Sequence, residues 1–194
     1  MTAHIVRLFI LLLPGFSAAA QDYRIFIDPS SNIKVNGSTN ANKFSFQYTD
    51  PITLNNAVHV VRDHGKLVLS NGVIKLKVKA FDSGNGMMNS DFRKMLKEPE
   101  NPTIEVELAT IMPAWRDDEL WFQGDVEIHV TMNKVQKKFL VMCQVENPGS
   151  ILIFGKKSLL LSDFGLIAPT RMLGMVKVND AVDFDFALRF DTDK

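Results

Sequence analysis

The sequence predicts an all-β domain of about eight antiparallel strands with one or two short helices, and three observations carry that prediction. Apolar residues recur with period two along most of the chain. Each such run has one apolar and one polar face, the signature of antiparallel sheet around a single core. The helices that parallel strands would need as crossovers are missing between the runs. Strands of this number and spacing suit either a closed barrel or a sandwich.

Residues 1–20 stand apart from this pattern. Arg7 gives a weakly positive start, and Leu8 to Leu13 (LFILLL) form an apolar core. Pro14 and Gly15 break that core, and Ala18-Ala19-Ala20 offer small residues for cleavage after Ala20. The apolar run is too short to span a bilayer. The expectation is a signal peptide at 1–20 and one domain at 21–194, periplasmic or secreted. No linker, low-complexity tract or repeat divides that domain.

The strands follow in order. Phe44, Phe46 and Tyr48 alternate with Lys43, Ser45 and Gln47. Leu67 and Leu69 run into Asn71-Gly72, and Ile74, Leu76 and Val78 run out again. Asn-Gly readily takes positive φ at both central positions of a tight turn, so a hairpin is expected there. Ile104, Val106 and Leu108 alternate with Thr103, Glu105 and Glu107. Val126, Ile128, Val130 and Met132 alternate with Asp125, Glu127, His129 and Thr131. In the last strand Val182, Phe184, Phe186, Leu188 and Phe190 share one face.

The stretch DSGNGMMNSDFRKMLKEPENPTIEVEL, Asp82 to Leu108, interrupts the strands. Met88, Phe92, Met95 and Leu96 fall on one stripe of a helix of about two turns. Asn89 is the expected N-cap, Asp91 the first-turn acid, and Lys94 and Lys97 suit the negative end of the dipole. Pro99 and Pro102 end the helix before Ile104 begins a strand. A helix this short is not stable alone and must lay its stripe on the sheet.

Composition excludes several functions. Twenty-two basic residues balance 22 acidic ones, so no basic excess favours nucleic acid. Cys143, the single cysteine, forms no internal disulfide and reads as a small apolar residue on the face of Phe139, Val141 and Val145. Gly84-Asn85-Gly86 fits neither nucleotide-binding glycine pattern and reads as a turn. His59, His64 and His129 lack metal-ligand spacing, which leaves no metal site and no poised catalytic set; Asp63-His64-Gly65 reads as a turn. The acids between Trp115 and Trp121 suit a solvated loop better than a glycan platform. Asn36-Gly37-Ser38 matches a glycosylation sequon and also reads as a turn. Fourteen Phe and nine Met are a generous apolar supply, fit for a filled core or for a barrel with an apolar lumen.

Three segments together resemble the YceI-like family of exported polyisoprenoid-binding proteins. They are Gly37-Ser38-Thr39-Asn40 with Phe44 and Phe46; Asn85, Met88-Asn89, Phe92, Leu96, Pro102 and Ile104; and Phe164-Gly165-Leu166 with Pro169, Gly174, Val176, Val178, Asp180 and Val182. The order and spacing of the segments carry the resemblance, which covers nearly all of 21–194. Two departures stand out. Better-known members carry Asp-x-x-His-Ser on the first strand, whereas Asp28 here precedes Pro29, Ser30 and Ser31. Asn133 replaces the usual glycine in the turn before Lys137.

The resemblance implies a single antiparallel, lipocalin-like barrel whose lumen takes an isoprenoid chain, without catalysis. The implied partner is an apolar lipid, an isoprenoid or a quinone, with no other cofactor. The membrane is met only transiently for lipid exchange, and the oligomeric state, monomer or homodimer, is left open. The expected ligand contacts are Phe44, Phe46, Met88, Phe92, Met95, Ile104, Val106 and Phe164. The rival readings are a structural or adhesion module with a filled core, and an enzyme using His64 or His129 with a nearby acid.

Overall fold

The computed structural model describes residues 21–192, apart from 24, 55, 114–120, 147–149 and 172–173. The expected signal peptide, the loop between the two tryptophans and the Cys143 side chain lie outside the described residues. The first strands are β1 (Gln21–Tyr23), β2 (Ile25–Ile27), β3 (Asn32–Ser38), β4 (Lys43–Tyr48), β5 (Val58–Asp63), β6 (Lys66–Ser70), β7 (Val73–Lys77) and β8 (Phe81–Asp82). Helix α1 (Gly86–Met95) precedes β9 (Thr103–Pro113), β10 (Trp121–Met132), β11 (Val135–Glu146) and β12 (Ser150–Leu160). The short β13 (Thr170–Arg171) and β14 (Val176–Lys177) lead to β15 (Ala181–Thr192).

Pairing closes these strands into a barrel. The sheet runs β9-β10-β11-β12-β15-β3-β4-β8, antiparallel throughout. Strands β7 and β8 are one rung interrupted by a single 3-10 turn, Val78–Ala80. Before the turn that rung pairs with β9, Val73 opposite Glu107 and Lys77 opposite Thr103. After it the rung pairs with β4, Tyr48 opposite Phe81. Counting β7 and β8 as one, eight strands return on themselves, which removes the free edges of an open sheet. Strands β5 and β6 extend this wall beyond β9, and β2 extends it beside β15.

Two local expectations are corrected. Asn71-Gly72 does not turn a hairpin: β6 and β7 both run antiparallel to β9, with Gly72 O accepting from Leu108 N. Asn71, at φ 66°, makes a bulge in one continuous strand, a task that also demands positive φ. The hairpin is seven residues earlier at His64-Gly65, both at positive φ, between Asp63 and Lys66. Asn36-Gly37-Ser38 likewise is strand, not turn, and Asn36 Nδ2 donates to Asp185 Oδ2 at 2.6 Å.

The alternating faces fall as the sequence predicts. Ile104, Val106 and Leu108 of β9, Val126 to Met132 of β10 and Phe184 to Phe190 of β15 point inward, buried, at every second position. The β11–β12 seam is weaker, with paired register among the described residues only between Gln144–Glu146 and Leu152–Phe154. Beyond it the 3-10 turn Leu161–Phe164 packs on β11, its Phe164 ring 6.3 Å from Phe139. Asn133 Nδ2 donates to Phe164 O, fixing that turn to the β10–β11 hairpin, where Asn133 and Lys134 both have positive φ.

Helix α1 is capped by Asn85, not Asn89. Asn85 Oδ1 accepts from Met87 N and Met88 N, satisfying two of the orphan donors. Asn89 lies within the helix and instead ties down the loop before it: its Oδ1 accepts from Ser83 N and Ser83 Oγ, and its Nδ2 donates to Asp82. Asp91 falls beyond the first turn, where the helix has no acid. At the far end Lys97 takes φ 53° and Glu98 N returns to Arg93 O, closing the helix before Pro99.

Candidate ligand-binding site

Under α1 the barrel encloses a cavity of about 520 Å³. Its wall is Val35, Phe44 and Phe46 from β3 and β4, Ile104, Val130 and Met132 from β9 and β10, and Leu159, Val182 and Phe184 from β12 and β15. Met88, Phe92, Met95 and Leu96 of α1 cover it, and Pro169, Val176 and Val178 complete one side. Thr39, Asn42, Lys43, Asp91 and Arg171 are the polar groups that reach it. No polar or charged residue among those described is buried. The site therefore offers apolar area inside and hydrogen-bonding groups only toward water, a division suited to a chain with a polar end.

Aromatic contacts fix the helix over this space. Phe92 stacks on Phe46, ring centroids 4.4 Å apart, and lies 5.5 Å from Phe81, which meets Tyr48 edge-on. Phe44 stands edge-on to Phe46 at 5.9 Å. Its ring lies across Gly37 on the neighbouring strand, where an added Cβ would come within 2.4 Å of it. Gly37 thus keeps its place through close approach of a ring. These rings hold one another against the wall, which leaves the space between them unfilled.

Polar contacts frame the mouth. Arg171 grips Asp91 with two hydrogen bonds, Nε to Oδ2 at 2.7 Å and Nη2 to Oδ1, joining the β13–β14 hairpin to α1. Asn40 joins that hairpin to the loop after β3, donating to Met175 O and accepting from Lys177 N. Thr39 Oγ1 accepts from Ala41 N and Asn42 N, which tightens the same loop. Lys43 reaches the same edge of the cavity with its side chain exposed, and among the described residues it has no ion-pair partner.

Of the eight residues expected to contact a ligand, Phe44, Phe46, Met88, Phe92, Met95 and Ile104 line the cavity. Val106 lies deeper, beside a void of about 20 Å³. Phe164 is fully buried against Phe139 and lines neither space. Sequence reasoning did not single out Val182, Phe184, Met132 or the Asp91–Arg171 pair. Alternation does place the first three on inward faces. The ion pair joins residues 80 positions apart and leaves no local pattern.

The histidines offered to a catalytic reading lie elsewhere. His64 is in the exposed β5–β6 turn beside Asp63, at 2.6 Å. His129 sits on β10 between Glu107 and Glu127, at 3.1 and 2.9 Å. The His129 hydrogen bond is the main cause that holds the Glu127 carboxyl below its ordinary pKa, with Lys138 adding to it. Neither ring lines the cavity. Among the described residues no cluster of His, Cys, Asp and Glu could hold a metal ion, and no helix is long and apolar enough to cross a membrane.

Solved structures share this architecture. A polyisoprenoid binding domain from Saccharophagus degradans implicated in plant cell wall breakdown superimposes with a TM-score of 0.64 at 13% identity, over 88% of this chain and 99% of that one. BcnA from Burkholderia cenocepacia gives 0.61 at 15% identity, over 84% and 98%. A Campylobacter jejuni YCEI protein is more distant, 0.47 at 14% identity over 98% and 94%. No protein-family model and no curated protein sequence matches the chain. At these identities the likeness is one of fold, and that fold is the barrel the YceI-like resemblance implies.

Proposed function

We propose that this chain is a YceI-like binding protein, exported by the signal peptide at 1–20, that holds an isoprenoid or other long apolar lipid in its lumen for transport, storage or stress response. The observation that carries the reading is the apolar cavity beneath α1, with polar groups only where it meets water. The polyisoprenoid binding domain that shares the fold supports the ligand class. Each methylene brought into such a lumen is worth roughly 0.8 kcal/mol, so a chain is retained by area without a charged anchor at its base. A quinone ring or another polar end would lie toward Thr39, Asn42 and Lys43. Met87, Ile167 and Met175 stay exposed on the segments that carry the mouth residues, which supports transient membrane contact during exchange. No catalytic step belongs to this proposal.

Met95 tests it. The side chain is half-buried on α1 and faces the cavity, so Met95→Asp places a charge in the ligand's path with little disturbance of the core. Protein purified from its native compartment should release a stoichiometric lipid on organic extraction, and the variant should release several-fold less with nearly the same melting temperature. Equal lipid in both proteins, or none in the wild type, overturns the reading.

A further inference from the structure

We propose that Phe184 is the floor of the lumen and sets the length of the chain it accepts; this rests on the lipid-binding reading above. Two spaces lie along the barrel, the cavity of about 520 Å³ under α1 and a void of about 20 Å³ beyond it. Among the described residues Phe184 alone lines both. Phe184 is 8% exposed and its ring lies 6.5 Å from that of Phe186, so it stands as a partition backed by a second ring. Behind it Ile33, Leu108 and Ile128 fill the barrel, leaving no room for a chain to continue.

The size of the upper space then fixes the ligand. A carbon-sized group occupies roughly the volume of a water molecule, about 30 Å³, so the cavity takes about 15 to 20 carbons. That is three or four isoprene units; a longer chain must leave its remainder outside the mouth. Phe184→Ala removes six ring carbons and joins the two spaces, which makes room for about one more unit.

The test titrates wild type, Phe184→Ala, Phe184→Leu and Phe184→Trp with geraniol, farnesol, geranylgeraniol and geranylfarnesol, two to five isoprene units long. Native mass spectrometry reads the competition. Wild type should favour the three- and four-unit alcohols several-fold over the five-unit one. The alanine variant should move the optimum up by about one unit, leucine by less, and tryptophan should move it down. If the alanine variant does not fold, the leucine and tryptophan variants carry opposite predictions while keeping the position apolar. An optimum unchanged across the folded variants overturns the inference while leaving lipid binding intact. A wild type that binds none of the four alcohols overturns the inference together with the isoprenoid reading, while the lipid extraction above decides lipid binding itself.

Discussion

The same strands build two different interiors in this barrel. On β3, Val35 lines the cavity while Ile33 two residues away is packed shut; on β10, Val130 and Ile128 divide the same way. On β9 the contrast is Ile104 against Leu108, and on β15 it is Val182 against Phe186. Nothing in residue type or alternation separates the two ends. The difference comes from what crosses the barrel. At the deep end Phe186, Leu188 and Ile74 are buried around a void of only about 20 Å³. At the other end α1 supplies the cover, and its Phe92 stacks on the wall instead of entering the centre. A lumen thus needs an element that seals it without filling it, and a short capped helix does this.

Phe164→Ala gives the largest expected effect, because Phe164 belongs to neither interior. Its fully buried ring fills the weak seam between β11 and β12, against Phe139. Removing it should cost about 3 to 5 kcal/mol, measured by denaturant unfolding. The ligand should still bind to whatever fraction remains folded. A variant of near wild-type stability that has lost its ligand would instead place Phe164 in the lumen, where the sequence reading had it.

The position of Phe164 outside the cavity lining shows which links are legible. Strand faces were readable because period two is a local signal, and the helix stripe was readable because Met88, Phe92, Met95 and Leu96 repeat at helical spacing. Hollow against filled was not, since nothing local separates Phe164, expected at the ligand, from Phe184, not singled out, until distant strands bring the first to a seam and the second to the cavity wall. Asn-Gly predicts a turn, yet the same positive φ serves a bulge. Either Asn85 or Asn89 has the right side chain for a cap, and only the fold shows that Asn85 meets the free N–H groups while Asn89 reaches back to Ser83 and Asp82. The Arg171–Asp91 pair had no precursor in the sequence pattern at all.

Asn85→Ala sharpens the contrast at an intermediate scale. It removes the acceptor for Met87 N and Met88 N and should cost about 1 kcal/mol. The helix packs through Met88, Phe92, Met95 and Leu96 around the upper space and lines no part of the deep void, so its loosening should open the cavity without reaching the deep end. Native-state hydrogen exchange should show faster exchange in 86–96 and unchanged protection at Ile128 and Phe186. Ligand release should quicken several-fold. Uniform loss of protection through both ends would mean that the barrel and its cover unfold as one unit, and the two interiors would not be separate.

The smallest effect is the most selective, because it reads one carboxylate that ties the cover to β8. Asp82 Oδ1 accepts from Asn89 Nδ2 at 2.6 Å and from Gly84 N at 3.0 Å, and these bonds, Asn89 first, hold its pKa below the usual carboxylate value. The unfolded chain therefore takes up the proton more readily than the folded one. The contribution of Asp82 is fully present above about pH 4 and is lost as the pH falls through the lower folded value. Asp82→Asn keeps the shape and removes the charge. The melting temperature of the variant should lie below that of the wild type at neutral pH, and the gap should close below about pH 4. Asp28, Glu127 and Asp183 are also depressed, but they titrate alike in both proteins and cancel in the difference. Ligand retention should follow the same curve, since protonating Asp82 frees the loop that holds Asn89 and with it the start of α1. A gap constant between pH 7 and pH 3 would show that this carboxylate does not hold the cover, and the separation of cover from barrel would then rest on Asn85 and Phe92 alone.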